Sequence, residues 1–280
     1  MNTDELRQQL ENSPSYRLAY EDPDILNRPE SRLLRLQLEY FKTELLLQEH
    51  EINSTIIVFG SARVPPPEAA TEAILKAIAV SEASPEDAEL KRQVQQKKNI
   101  ATLSHYYEEV RRFAEIVSTM SRQYFSGTEY VIMTGGGPGI MEAGNRGAFD
   151  AEAKTIGLNI RLPFEQHPNP YITPELCFQF HYFAIRKMHF LLRAKALVAA
   201  PGGFGTFDEL FEVLTLIQTH RSAKVPVILM GEDFWRQAVN FEFLADQGVI
   251  ADEDLKLFRF ANTADEALEE IREFYKILCG

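Results

Sequence analysis

The residues most able to do chemistry lie within Lys195–Glu209, KALVAAPGGFGTFDE. An apolar strand ends at Pro201, a glycine turn follows (Gly202, Gly203, Gly205), and the pattern predicts a helix opening at Thr206. Backbone amides left free at a helix start, together with the positive end of its dipole, suit an anion such as phosphate. Glycine fits there because a Cβ would hold the main chain away from the ligand. Asp208 and Glu209, placed by this reading in the same first turn, would repel a phosphate at short range and so require a separate role. At this junction alone, Thr206-x-x-Glu209 also fits a capping box, in which Glu209 only satisfies a free amide.

A second junction follows Tyr130–Met133: Thr134-Gly135-Gly136-Gly137-Pro138-Gly139-Ile140-Met141-Glu142. A GxGxxG fingerprint is missing, since Ile140 stands where the third glycine belongs, and the strand at 155–160 has no acid at its end to hold a ribose. No GxxxxGK[ST] sequence is present. A third junction lies at Thr55–Phe59 followed by Gly60-Ser61. Turn geometry explains any one of the three junctions and explains all three poorly. In an open parallel sheet such turns converge beyond the carboxyl ends of the strands, where strand order reverses.

Taken together these motifs resemble the LOG family of nucleotide phosphoribohydrolases, long labelled lysine decarboxylases. The family signature PGGxGTxxE stands here as Pro201-Gly202-Gly203-Phe204-Gly205-Thr206-Phe207-Asp208-Glu209, its Arg-Lys pair as Arg186-Lys187, and a one-residue-shorter counterpart of its GGGxxGxM element as Gly135 to Met141, GGGPGIM. The resemblance runs from about Ile56 to the C-terminus, and the GPGIMEA form and long N-terminal region look more like the larger bacterial members. It implies cleavage of the N-glycosidic bond of AMP or an N6-substituted AMP, giving free base and ribose 5-phosphate. Glu209 is then the carboxylate that stabilises the oxocarbenium character or orients water, and Arg186 is the second catalytic residue. Lys187, Gly202, Gly203, Phe204, Gly205, Thr206, Phe207, Asp208 and Thr215 are expected to bind substrate, with Gly60, Ser61, Gly135, Gly136, Gly137, Glu142 and Glu165. No metal and no cofactor is expected. The alternatives are a non-catalytic nucleotide or cofactor carrier of the same fold, and a pyridoxal-phosphate lysine decarboxylase. For the last, Lys187 and Lys195 are the only lysines close to the glycine turns.

These residues need a scaffold. Apolar runs at 55–59, 130–133, 155–160, 176–180, 195–200, 225–230 and 257–260 alternate with helical patterns at 183–193, 206–219, 232–247 and 264–278. Such alternation predicts a mainly parallel sheet covered on both faces. With the resemblance, the expected fold is α/β, Rossmann-like and doubly wound. Residues 1–52 form an expected helical extension, with a broad apolar face on a helix at 31–50. Residues 53–280 form the catalytic domain, with a helical excursion at about 68–125 broken near Ser84-Pro85.

Composition narrows the partners. Across 280 residues, 45% hydrophobic and 25% charged, the chain can bury a full core. A net charge of −12 argues against a broad nucleic-acid footprint. With no apolar run near ~18 residues and no signal-like N-terminus, a cytoplasmic protein without a membrane partner is expected. Cys177 and Cys279 have no metal-ligand spacing. The partners expected are a nucleoside monophosphate and, from the resemblance, a second copy of the chain in a homodimer or larger homo-oligomer.

Overall fold

The computed structural model describes residues 2–163 and 167–279. By compactness the chain divides into a unit ending at Leu45 and a unit beginning at Leu46. The first holds helices α1 (Thr3–Glu11), α2 (Pro23–Leu26) and most of α3 (Arg32–Glu49). Its α1 starts with a capping box: Asn2 Oδ1 accepts from the Asp4 amide at 3.2 Å while Glu5 Oε2 accepts from the Asn2 amide at 2.8 Å.

The second unit carries strands β1 (Thr55–Phe59), β2 (Val131–Thr134), β3 (Thr155–Ile160), β4 (Cys177–Phe180), β5 (Ala194–Ala199), β6 (Val227–Met230) and β7 (Arg259–Ala261). Every neighbouring pair is parallel, in the order β4-β3-β2-β1-β5-β6-β7. The chain thus steps outward from β1 to one edge, then returns beside β1 and steps to the other. Strand order reverses between β1 and β5, so the loops after these two strands diverge to leave a crevice.

Along β1 successive side chains enter opposite cores, which is why the strand is apolar throughout rather than alternating. Ile57 and Phe59 join Phe190, Leu210, Val213, Ile217 and Trp235 on one face. Ile56 and Val58 join Tyr107, Val110, Phe113, Ala143 and Ala148 on the other. Helices α8 (Phe183–Leu192) and α9 (Phe204–Gln218) supply the first face, whereas α6 (His105–Phe125), α7 (Ile140–Asp150) and α12 (Ala264–Cys279) supply the second. The α/β doubly wound fold expected from the sequence is the one observed.

A helix boundary differs from expectation, whereas the break near Ser84-Pro85 falls where it was expected, between residues 82 and 88. The helix expected at 232–247 is two, α10 (Glu232–Ala238) and α11 (Phe241–Asp246), because Asn240 Oδ1 accepts from the Phe243 amide at 3.0 Å and caps a new start. The excursion after β1 comprises α4 (Pro67–Glu82) and α5 (Ala88–Leu103), leading into α6. The break falls where Asp87 Oδ1 accepts from the amides of Glu89 and Leu90, at 2.8 and 3.2 Å. No described helix is long and apolar enough to cross a membrane.

Candidate active site

Helix α9 begins at Phe204, two residues earlier than its sequence pattern predicts. Gly203, in an extended conformation (φ −101°, ψ −158°), is the N-cap residue, and its carbonyl accepts the Phe207 amide at 3.1 Å. The amides of Phe204, Gly205 and Thr206 therefore precede the first intrahelical donor, the Phe207 N–H, and are available to an anion. No side chain caps this end, so the capping-box reading of Thr206 and Glu209 is incorrect. No acid lies in the first turn; Asp208 and Glu209 fall one turn deeper. An added Cβ at Gly203 or Gly205 would meet nothing within 4 Å. Packing does not require glycine at these two positions, whereas at Gly202 a Cβ would strike the buried Thr206 side chain.

Glu209 is not solvated. Its carboxylate Oε1 accepts from Arg186 Nη1 at 2.8 Å, and the two side chains are only 13% and 8% exposed. Arg186 Nε also donates to the Leu158 carbonyl at 2.7 Å, and its guanidinium carbon lies 5.0 Å from the Phe190 ring centroid. The arginine is thus fixed from β3, from its own helix α8 and from α9. Burial raises the Glu209 carboxyl above the ordinary carboxylate value, and Arg186 only partly offsets it. The same burial lowers the Arg186 guanidinium. Desolvation opposes charge on both partners, so this pair is held by the fold rather than contributing much to it. Gly135 permits the arrangement: a Cβ there would lie 2.6 Å from Arg186 Nη2.

Lys187, the next residue on α8, pairs elsewhere. Its Nζ lies 2.8 Å from each Asp208 oxygen and 3.1 Å from Glu212 Oε2. The basic pair on α8 therefore neutralises the acids on α9 in parallel, Arg186 with Glu209 and Lys187 with Asp208 and Glu212. The repulsion that two bare carboxylates would exert on an anion is reduced accordingly.

Backbone hydrogen bonds bring the three glycine turns together. Ser61 N–H donates to the Pro201 carbonyl at 3.0 Å, and Ile140 N–H donates to the Ser61 carbonyl at 3.0 Å. Gly139, at φ +70°, passes so close to Ser61 and Ala62 that a side chain would collide with their backbone. Behind the second turn, buried Asn145 bonds Thr134 Oγ1 and Thr155 Oγ1, each at 2.7 Å, and Asn169 Nδ2 at 2.9 Å. This satisfied polar network fixes the turn from inside.

Above the β1/β5 reversal the turns enclose a cleft of about 1110 Å³. Gly60, Ser61, Gly135, Arg186, Gly202, Gly203, Phe204, Gly205, Thr206, Phe207, Asp208 and Glu209 all line it. Phe207 is positioned by Trp235, 5.2 Å away between ring centroids, whose indole N–H donates to the carbonyls of Ala199 and Met230 at 3.0 and 3.1 Å. Other residues expected to touch substrate do not line the cleft. Gly136 and Gly137 are buried, with carbonyls accepting from Asn169. Glu142 points its Oε1 at Tyr107 Oη, 2.8 Å away. Lys187 and Thr215 border a neighbouring hollow, and Thr215 Oγ1 donates to the Phe211 carbonyl at 2.7 Å. Glu165 lies outside the described residues. Sequence reasoning missed Arg63, Met141 and Phe234 as lining residues. Arg63 had a legible signal, a cation two residues beyond the Gly60-Ser61 turn.

Glycine turns at the reversal of a parallel sheet, with a buried carboxylate–arginine pair beneath them, form a cleft at the place where open α/β sheets bind ligands. The family described as possible lysine decarboxylase matches residues 141–271. A probable cytokinin riboside 5'-monophosphate phosphoribohydrolase, LOGL3 of Oryza sativa subsp. japonica, is 24% identical over 155 residues, covering 51% of this chain and 68% of that protein. Over 90 residues, 32% of this chain, LOG of the same plant is 31% identical and LOG2 of Arabidopsis thaliana 30%. Those alignments span only 37% and 42% of the relatives' own lengths. Among solved structures, TM1055 has a TM-score of 0.46 at 19% identity, covering 79% of this chain and 99% of that one. The Moco carrier protein of Chlamydomonas reinhardtii has a TM-score of 0.45 at 18% identity, with coverages of 80% and 98%. Over part of its length the chain is therefore similar to the family described as possible lysine decarboxylase and, at low identity, to curated LOG phosphoribohydrolases.

Proposed function

We propose that the chain hydrolyses the N-glycosidic bond of AMP or an N6-substituted AMP, releasing free base and ribose 5-phosphate. The observation that carries this reading is the buried Arg186–Glu209 pair lining the cleft beside the uncapped start of α9. In the reaction the bond between the anomeric carbon and the base nitrogen breaks. Water adds to that carbon, and its proton balances the departing base. Glu209 faces the cationic sugar as a carboxylate, and Arg186 holds it ionised and aimed. The amides of Phe204, Gly205 and Thr206 take the 5′-phosphate. Phe183 and Phe204 line the cleft as apolar surface for the base; Phe204 is 96% exposed at the helix tip, with its ring free to take a partner. The distant relatives named as phosphoribohydrolases support a hydrolase reading.

Decarboxylation through pyridoxal phosphate fits these residues poorly. That group is held as a Schiff base by a lysine, and no lysine is among the described residues lining the cleft. Lys187 is engaged by Asp208 and Glu212 outside it.

The reading is tested by incubating the protein with a panel of nucleoside 5′-monophosphates and separating the bases by chromatography; absence of base release from every member rejects it. A finer test is Gly203→Ala. Because an added Cβ meets no protein atom, the unfolding midpoint should stay unchanged, while a methyl in the path of a phosphate raises KM for AMP about tenfold or more. A lowered midpoint with unaltered KM would make Gly203 a turn residue only. We also propose self-association into a homodimer, on the family resemblance and on the exposed Leu33, Leu34, Leu38 and Phe41 of α3. Light scattering at micromolar concentration should give twice the chain mass; a monomer refutes it.

A further inference from the structure

Of the two arginines lining the cleft, one is already committed. Arg186 spends its guanidinium on Glu209 and on the Leu158 carbonyl, and Lys187 is bound to Asp208 and Glu212 outside the cleft. The charges of Arg186 and Lys187 are thus already offset by acids of α9. Arg63 remains. It is exposed, lines the same cleft, and its side chain makes no ion pair or hydrogen bond among the described residues. Its backbone is held: Arg63 N–H donates to Ser61 Oγ at 3.0 Å, the Ser61 amide is tied to the Pro201 carbonyl, and the following Val64 is buried. The turn carrying Arg63 is thus fixed directly beside Pro201, a few residues before the free amides that open α9.

An anion entering this cleft meets two carboxylates, Asp208 and Glu209, each already neutralised by one base. A doubly charged phosphate would then be met by amide dipoles alone unless a further cation contributed. We infer that Arg63 is the phosphate-recognising cation of the cleft and sets its preference for nucleoside 5′-monophosphates over nucleosides. The inference rests on the function proposed above, of which it specifies the substrate class. An arginine suits the task because its planar fork gives two parallel hydrogen bonds to phosphate oxygens, and lysine reproduces only the charge.

The experiment compares wild type, Arg63→Gln and Arg63→Lys by calorimetric titration with ribose 5-phosphate and with ribose, alongside AMP and adenosine hydrolysis. Loss of a charge-assisted contact should weaken ribose 5-phosphate binding and raise KM for AMP by about 10- to 100-fold in Arg63→Gln. kcat should stay near wild type, ribose binding should not change, and Arg63→Lys should recover part of the loss. Unaltered ribose 5-phosphate affinity in Arg63→Gln overturns the role of Arg63, as does an equal loss for ribose and its phosphate. If AMP is hydrolysed while Arg63→Gln behaves as wild type, only this inference falls. If wild type neither binds ribose 5-phosphate nor releases base, the proposed function falls and takes this inference with it.

Discussion

Glu209→Gln is expected to lower the kcat for AMP hydrolysis by about 10²- to 10⁴-fold, the range associated with losing a positioned catalytic carboxylate. AMP affinity should change little, because the amide keeps the shape of the carboxylate and the phosphate is held elsewhere. Parallel calorimetry and turnover measurements check this split. Equal loss of binding and turnover would reduce Glu209 to a structural residue. The wild-type rate should also show an acid limb. Activity requires the ionised carboxyl, burial raises its protonation above the ordinary value of 4.5, and so the rate should fall with acidification at a pH above the usual carboxylate range.

Arg186→Ala should lower stability by about 3–5 kcal/mol by urea unfolding at neutral pH. It removes the partner of a nearly buried carboxylate and the donor to the Leu158 carbonyl. Without Arg186 the Glu209 carboxyl rises further, since the arginine is the main influence lowering it. The folded variant then holds a proton that the unfolded chain releases. Its stability is therefore greatest below the unfolded carboxyl pKa and is lost as pH rises through the folded one. The deficit relative to wild type should be smaller at about pH 5 than near neutrality. Adding Glu209→Gln to Arg186→Ala should recover part of the loss, because no buried charge is then left alone; simple additivity of the two changes would show that the pair is not coupled.

Much of this architecture was legible because it is written in local pattern. Strands such as Thr55–Phe59 and Ala194–Ala199 are largely apolar on both faces, which a sheet covered on both sides explains, and the first, second and fifth strands are each followed within three residues by glycine. The start of α9 was misread because Gly203-Phe204-Gly205 looks like loop and Thr206-x-x-Glu209 imitates a capping box. Free amides facing an open cleft replace the side-chain cap there, and no local pattern announces that. Asn240 was similarly hidden within an amphipathic run, although it caps a second helix. The pairings across α8 and α9 join residues more than twenty positions apart and depend on how two helices pack on the sheet. The adjacent Arg186-Lys187 and Asp208-Glu209 pairs hint at it only in retrospect. Glu142 sits beside the second glycine turn in sequence, yet its helix turns it toward Tyr107 in the other core.

The most direct test of the account is to quantify all products when purified protein is supplied with AMP. It predicts adenine and ribose 5-phosphate in equal amounts, with no adenosine and no inorganic phosphate. Adenosine with inorganic phosphate, or intact AMP after prolonged incubation with each nucleoside monophosphate in turn, would contradict it.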